Sequence, residues 1–184
     1  MALNVKSTPS LGMVEALKLA SSRLTVFSGR SRRSEFWWWM APVLIVNFVG
    51  SSFMTNIWVS SIFQIIVMSL GLAVTARRLQ DTGKSAIWLY ISFALGCAVT
   101  LMAATSEAMS EYIEIAQSGD MEKMATFAQE NMGSIGIYGL LSLLWGLFSL
   151  IVAIFCFMDG EPGSNKYGSS PKYEVIGSVE ATEL

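Results

Sequence analysis

The stretch "FWWWMAPVLIVNFVGSSFMTNIWVSSIFQIIVMSLGLAVTA", residues 36–76, contains no Asp, Glu, Lys or Arg. It runs for about 41 residues, whereas a membrane-spanning helix needs about 20. One helix of that length would overshoot a bilayer, but two helices joined by a tight turn would fit. The turn is expected near Thr55-Asn56, with Gly50-Ser51-Ser52 as the alternative. Two further charge-free stretches follow, Ser85 to Ser106 and Asn131 to Met158. Each has the length of one span.

The expected fold class is therefore an all-α integral membrane protein with four transmembrane helices, at roughly 36–55, 57–76, 86–106 and 135–157. Composition agrees. Of 184 residues, 53% are hydrophobic and only 14% are charged, and the mean hydropathy is +0.51. A soluble domain carries about 25% charge. The first apolar run begins too far from the start to be the core of a secretory signal peptide. The division expected is a cytoplasmic segment at 1–35, a membrane domain at 36–158 and a cytoplasmic tail at 159–184.

The charges set the orientation. Lys6, Lys18, Arg23, Arg30, Arg32 and Arg33 precede the first span, Arg77, Arg78 and Lys84 lie between spans two and three, and Lys166 and Lys172 follow the last. Segment 107–134 carries Lys123 against Glu107, Glu111, Glu114, Asp120, Glu122 and Glu130. The excess of cations places both termini and the 77–85 link in the cytoplasm, and the acidic segment outside. Trp37, Trp38, Trp39 and Trp88 then mark the inner interface and Trp58 the outer one. Trp145 falls mid-span and is expected to pack between helices.

Residues 10–27, "SLGMVEALKLASSRLTVF", read as an amphipathic helix lying on the inner leaflet, with Leu11, Val14, Leu17 and Leu24 apolar. Ser34 is the expected N-cap of the first span, and Pro42 is expected to kink it. The acidic segment reads as an external helical hairpin broken at Ser118-Gly119-Asp120, with Gly119 ending one helix and Asp120 capping the next. Small residues at Ser92, Gly96, Thr100 and Ala104, and at Ser142, Gly146, Ser149 and Ala153, allow close helix approach. Beyond Asp159, turns are expected up to Lys172 and a mobile tail after it.

The chemistry is sparse. There is no histidine, which removes Ser-His-Asp and Cys-His catalysis and most transition-metal sites. Cys97 and Cys156 fall at different depths and are expected to be free thiols. The spans contain no carboxylate, lysine or arginine, which argues against a proton relay. Asn47 and Gln64 are the polar intramembrane residues, each expected to make an interhelical hydrogen bond. The Gly-Lys-Ser at 83–85 is not a phosphate-binding loop. Such a loop needs an earlier glycine, where Arg78 stands, and a preceding strand.

Three separated stretches, "FSGRSRRSEFWWW" (27–39), "ARRLQDTGKSAIW" (76–88) and "DGEPGSNKYGSSP" (159–171), together resemble the bacterial inner-membrane family known as domain of unknown function 805. The resemblance covers about residues 12–172 and rests on Phe27, Gly29, Arg30, Arg33, Glu35, Phe36 and Trp37, on Arg77, Arg78, Leu79, Asp81, Gly83, Ser85 and Trp88, and on Gly160, Gly163, Asn165, Tyr167, Gly168 and Pro171. It implies a small helical protein of the bacterial inner membrane and no established activity. Gln80, Ala86 and Ser170 depart from the family pattern, which commonly has His, Gly and an acidic or amide residue there. Glutamine keeps a hydrogen bond but cannot shuttle a proton near neutral pH.

All three stretches fall on the expected cytoplasmic face. Arg30, Arg33, Glu35, Arg77, Arg78, Asp81, Lys84 and Asn165 are the expected polar network or lipid-binding group. No catalytic residue, cofactor, metal, nucleotide or nucleic acid is expected. The expected partners are membrane lipids, anionic ones included, with a second copy or another membrane protein as the other partners considered. Transport along Asn47, Gln64, Thr75 and Thr100, and interfacial catalysis by Asp81 or Glu35, are the alternative readings.

Overall fold

The computed structural model describes residues 3–178. Its elements run β1 (Leu3–Ser7), α1 (Met13–Ser21), α2 (Arg33–Ser52), α3 (Ile57–Asp81), α4 (Ile87–Thr105), α5 (Glu107–Ser118), α6 (Met121–Glu130), α7 (Met132–Phe157) and β2 (Tyr173–Ser178). The protein is predominantly helical. α2 packs on α3, α3 on α4 and α4 on α7, while α1 lies against α2.

Three helices, α3, α4 and α7, are long and apolar enough to cross a membrane. α2 is also 20 residues long, but Arg33, Glu35, three tryptophans, Pro42 and Asn47 lower its hydropathy. Its middle still exposes Leu44, Ile45, Val46, Phe48 and Val49. The turn between α2 and α3 falls at residues 53–56. There the Asn56 side chain accepts from the N–H groups of Trp58 and Val59 and so caps α3.

Several expectations need correction. α1 is shorter than residues 10–27, because the chain turns after Ser21. Its buried face is Ala16 and Ala20, small enough to seat it on α2, while Val14 and Leu24 are exposed. Arg32, not Ser34, is the N-cap of α2; Ser34 lies one residue inside the helix, and its hydroxyl accepts from the Leu11 N–H at 3.3 Å. α3 does not stop near residue 76 but continues through Asp81, so Arg77, Arg78 and Asp81 are helical and the link proper is Thr82–Ala86. The tail also departs from the all-α expectation, since β2 pairs antiparallel with β1. The mobile tail expected there covers residues 179–184 too, which lie outside the described residues.

Gly119 sits in the left-handed region after α5, and the Asp120 carboxylate caps α6 by accepting from Lys123 N–H. On α4, Ser92, Gly96 and Ala104 are buried, and the Ser92 and Ser149 hydroxyls meet at 2.8 Å across the contact with α7. An added Cβ at Gly96 would lie 2.9 Å from the Trp145 indole nitrogen, so Trp145 packs between helices. Both cysteines are free thiols. The buried apolar cluster is Phe36, Val74, Ala76, Leu79, Ala86, Leu89, Val152 and Cys156. It lies directly beside the charged ends of α2 and α3.

Candidate functional site: a buried arginine–carboxylate cluster

The last two turns of α3 carry Arg77, Arg78, Gln80 and Asp81, all buried. Leu79, also buried, joins the apolar cluster. Charged side chains are almost never this enclosed unless paired. Here their partners come from distant parts of the chain, residues 23–35 and 156–158.

Asp81 is the hinge of the arrangement. Its Oδ1 accepts from Arg30 Nε at 2.7 Å and its Oδ2 from Arg78 Nη1 at 2.6 Å. Arg30 then donates to the carbonyls of Gly163 at 2.6 Å, Gly168 at 3.3 Å and Asp81 at 3.3 Å, and also to that of Glu161. Arg78 donates to the carbonyls of Cys156 at 3.1 Å and Ser31 at 3.3 Å, and to that of Met158. Arg77 donates to Glu35 Oε1 at 3.1 Å and to the carbonyls of Arg23 at 2.7 Å and Val26 at 2.5 Å. A guanidinium offers five donors in a rigid fork, and each of these three divides its fork between a carboxylate and main-chain carbonyls.

Three arginines face two carboxylates, so the buried side chains sum to +1. The carbonyl dipoles offset that excess. Most come from the segments before α2 and after α7, with Asp81 and Cys156 at the ends of α3 and α7; the Arg23, Asp81 and Gly168 carbonyls also accept from the N–H groups of Val26, Glu161 and Asn165. The arrangement therefore satisfies stranded backbone acceptors and arginine donors together.

Asn165 adds a second clasp. Its Nδ2 donates to the Gln80 carbonyl at 3.0 Å and to the Glu161 carboxylate at 2.8 Å. Its Oδ1 accepts from Tyr167 N–H at 2.9 Å. Gln80 Nε2 donates to the Phe27 carbonyl at 3.0 Å, while Gln80 Oε1 and Arg77 Nε are buried without a partner. Gly29, Gly83 and Gly168, one from each stretch singled out in the sequence, have φ of 112°, 71° and 128°. That region suits glycine. At Gly83 a side chain would also strike Glu161.

Arg33 and Lys84 stand apart from this cluster. Arg33 is exposed and lies 3.4 Å from Asp159. Lys84 lies over the Phe155 ring at 5.6 Å. Asp159 also takes Lys172 at 2.5 Å and the Tyr173 hydroxyl at 3.3 Å. Burial works against its charge, but Lys172 and Arg33 outweigh that and hold its carboxyl below the usual range.

Gln64 does not bond between helices as expected: its amide donates to Ser60 Oγ at 3.3 Å, one turn back on α3. Asn47 is half-buried on α2, away from the cluster. The contributions sequence reading missed are chiefly carbonyls, those of Arg23, Val26, Phe27, Ser31, Cys156 and Met158. Every residue has a carbonyl, so no side-chain signal marks them. Gly160 was the one available sign, because a Cβ there would collide with the Asp81 carboxylate.

Among known families, residues 24–169 match the one described as "Protein of unknown function (DUF805)". No curated protein and no solved structure matches the chain.

Proposed function

The chain belongs to the DUF805 family, and from that premise we propose that it is a non-enzymatic, four-span protein of the bacterial inner membrane, with both termini in the cytoplasm. Its inner face is a rigid platform that meets anionic lipid headgroups. One observation carries this reading: Arg30, Arg77 and Arg78 are 5%, 0% and 1% exposed. Their charge holds the platform together and is out of reach of a headgroup. Contact with lipid falls to the rim, where Lys18 and Lys166 are exposed and Lys84 is half-buried. Cations near an anionic leaflet are worth about 1 kcal/mol each.

The four-span reading adds α2 to the three more apolar helices. At 20 residues it is about 30 Å long, and its exposed aliphatic face suits lipid. The positive-inside bias supports the orientation.

The alternatives find less support. Catalysis by Glu35 or Asp81 would need an accessible carboxylate, and both are 1% exposed and held by arginines. A transport path would need Thr75, whose hydroxyl instead donates to the Gly71 carbonyl within α3 at 2.7 Å.

Native mass spectrometry from mild detergent tests the proposal. Wild-type protein should retain anionic lipid, and the triple variant Lys18→Glu, Lys84→Glu, Lys166→Glu should lose it without losing helicity. Undiminished anionic-lipid retention in the triple variant would refute the reading.

A further inference from the structure

A second polar site lies at the other end of the helix bundle, near the turn between α2 and α3. A half-open cavity of about 250 Å³ is bordered there by α3, α4, α5, α7 and that turn. Its polar lining is Thr55, Ser60, Ser61, Gln64, Thr100, Gln117 and Tyr138, and Trp145, Ile57 and Val99 are among its other walls. No charged residue lines it. Among the described residues, the side-chain hydrogen bonds in this lining are Gln64 Nε2 to Ser60 Oγ at 3.3 Å and Ser61 Oγ to the Thr100 carbonyl at 3.5 Å. The second is at the edge of a real bond. The Thr100 and Tyr138 hydroxyls and the exposed Gln117 amide line the cavity and make none of these side-chain hydrogen bonds.

We propose that this cavity binds one small, uncharged, hydroxyl-bearing molecule. Three properties point to that class. The lining offers both donors and acceptors, which suits a ligand carrying hydroxyls. A charged group would be desolvated with no counter-charge to pair with. The volume equals roughly eight waters' share of the liquid, the size of a short polyol or a single sugar ring. Apolar walls interrupted by a few convergent polar groups are the usual make-up of a small-molecule site. A larger hollow of about 480 Å³ between α5 and α6 has a different character. Four charged residues line it, and its Lys123 already pairs with Asp120 at 3.1 Å.

The same hydroxyl chemistry is carried by free polyols and by the glycerol end of a neutral lipid, so the test has two arms. In one, glycerol, inositol and glucose are each titrated into the full-length, delipidated protein. In the other, the protein is placed in nanodiscs with and without a monoacylglycerol. Tryptophan fluorescence reports binding, with Trp145→Phe identifying the responding indole, and acetate and choline are the charged controls. Saturable binding is expected in one arm, identifying the source, and neither control should compete. Thr100→Val and Gln64→Leu should each weaken binding by about tenfold, the value of one hydrogen bond. Gln117→Ala, at an exposed position on α5, should weaken it as well and tests the site should either core variant fail to fold. No saturable binding in either arm, binding that survives these substitutions, or stronger binding of acetate or choline would overturn the proposal.

Discussion

Arg77 Nη2 and Glu35 Oε1 lie 3.1 Å apart, with their side chains 0% and 2% exposed. This contact joins the first turn of α2 to the penultimate turn of α3. The same guanidinium holds the carbonyls of Arg23 and Val26, so one side chain secures three segments. Arg77→Met would strand the Glu35 charge and the Val26 carbonyl, whereas the Arg23 carbonyl keeps the Val26 N–H at 3.1 Å. It should cost about 3–5 kcal/mol, the usual penalty for removing one partner of a buried pair. Thermal unfolding in detergent measures this. An unchanged melting temperature would remove the cluster's structural role. The double change Glu35→Leu, Arg77→Met should recover only part of the loss, because the Val26 carbonyl stays unpaired.

Asp81 is shared between Arg30 and Arg78. Asp81→Asn keeps its shape but leaves two guanidinium charges with a neutral partner. A loss of about 3–5 kcal/mol is expected, with faster proteolysis of the 159–168 segment that Arg30 secures. Lys84→Ala, at the rim, should stay within about 0.5 kcal/mol. Equal effects of the two substitutions would contradict the division into cluster and rim.

Glycine substitutions separate close approach from open surface. At Gly160 a new Cβ would meet the Asp81 carboxylate, and at Gly146 it would meet nothing within 4 Å. Gly160→Ala should destabilise by about 1–3 kcal/mol, as overpacking does. Gly146→Ala sits in an exposed part of helix α7 and should be neutral or slightly stabilising, since alanine favours helix by about 1 kcal/mol over glycine. Melting of the two purified variants decides the matter.

The β1–β2 ribbon should loosen in acid. The Asp159 carboxyl is held below its usual range by Lys172 and Arg33 against the cost of burial. A depressed acid stabilises the folded arrangement above its unfolded pKa, and that contribution disappears as pH falls through the folded value. Lys172 is shifted the other way: burial lowers its pKa, but Asp159 outweighs that and raises it. Its contribution persists through neutral pH and is lost only as pH rises through that raised value. The tether should therefore be worth about 0.2–1 kcal/mol near neutral pH. Hydrogen exchange in residues 173–178 should rise below the carboxylate range, and Asp159→Asn should show the same rise at pH 7. A flat profile in wild-type protein would count against the tether.

Much of the helical layout was readable because its signals are local. The charge-free runs placed α3, α4 and α7 closely, since burial of an apolar run in lipid depends on about 20 consecutive residues. Gly119 and Asp120 marked the break between α5 and α6 for a similar reason, as a cap acts within one turn. The end of α3 was misplaced because Arg77 and Arg78 look like a surface link by charge alone. The helix continues there because those arginines find partners that are remote in sequence. The ribbon was missed because strand pairing joins residues more than 160 positions apart, and the strands are only five and six residues long.

The chain alone determined the membrane-compatible helices and the segregation of charge between the two ends, because hydropathy and charge bias act on the residues that carry them. It also grouped Arg30, Arg33, Glu35, Arg77, Arg78, Asp81, Lys84 and Asn165 together. Only the tertiary structure decided that Arg30, Arg77 and Arg78 face inward while Arg33 and Lys84 remain at the rim. Their charges are the same. The difference is made by carbonyl acceptors from either end of the chain, which carry no residue identity and exist as a site only once the backbone has folded around them.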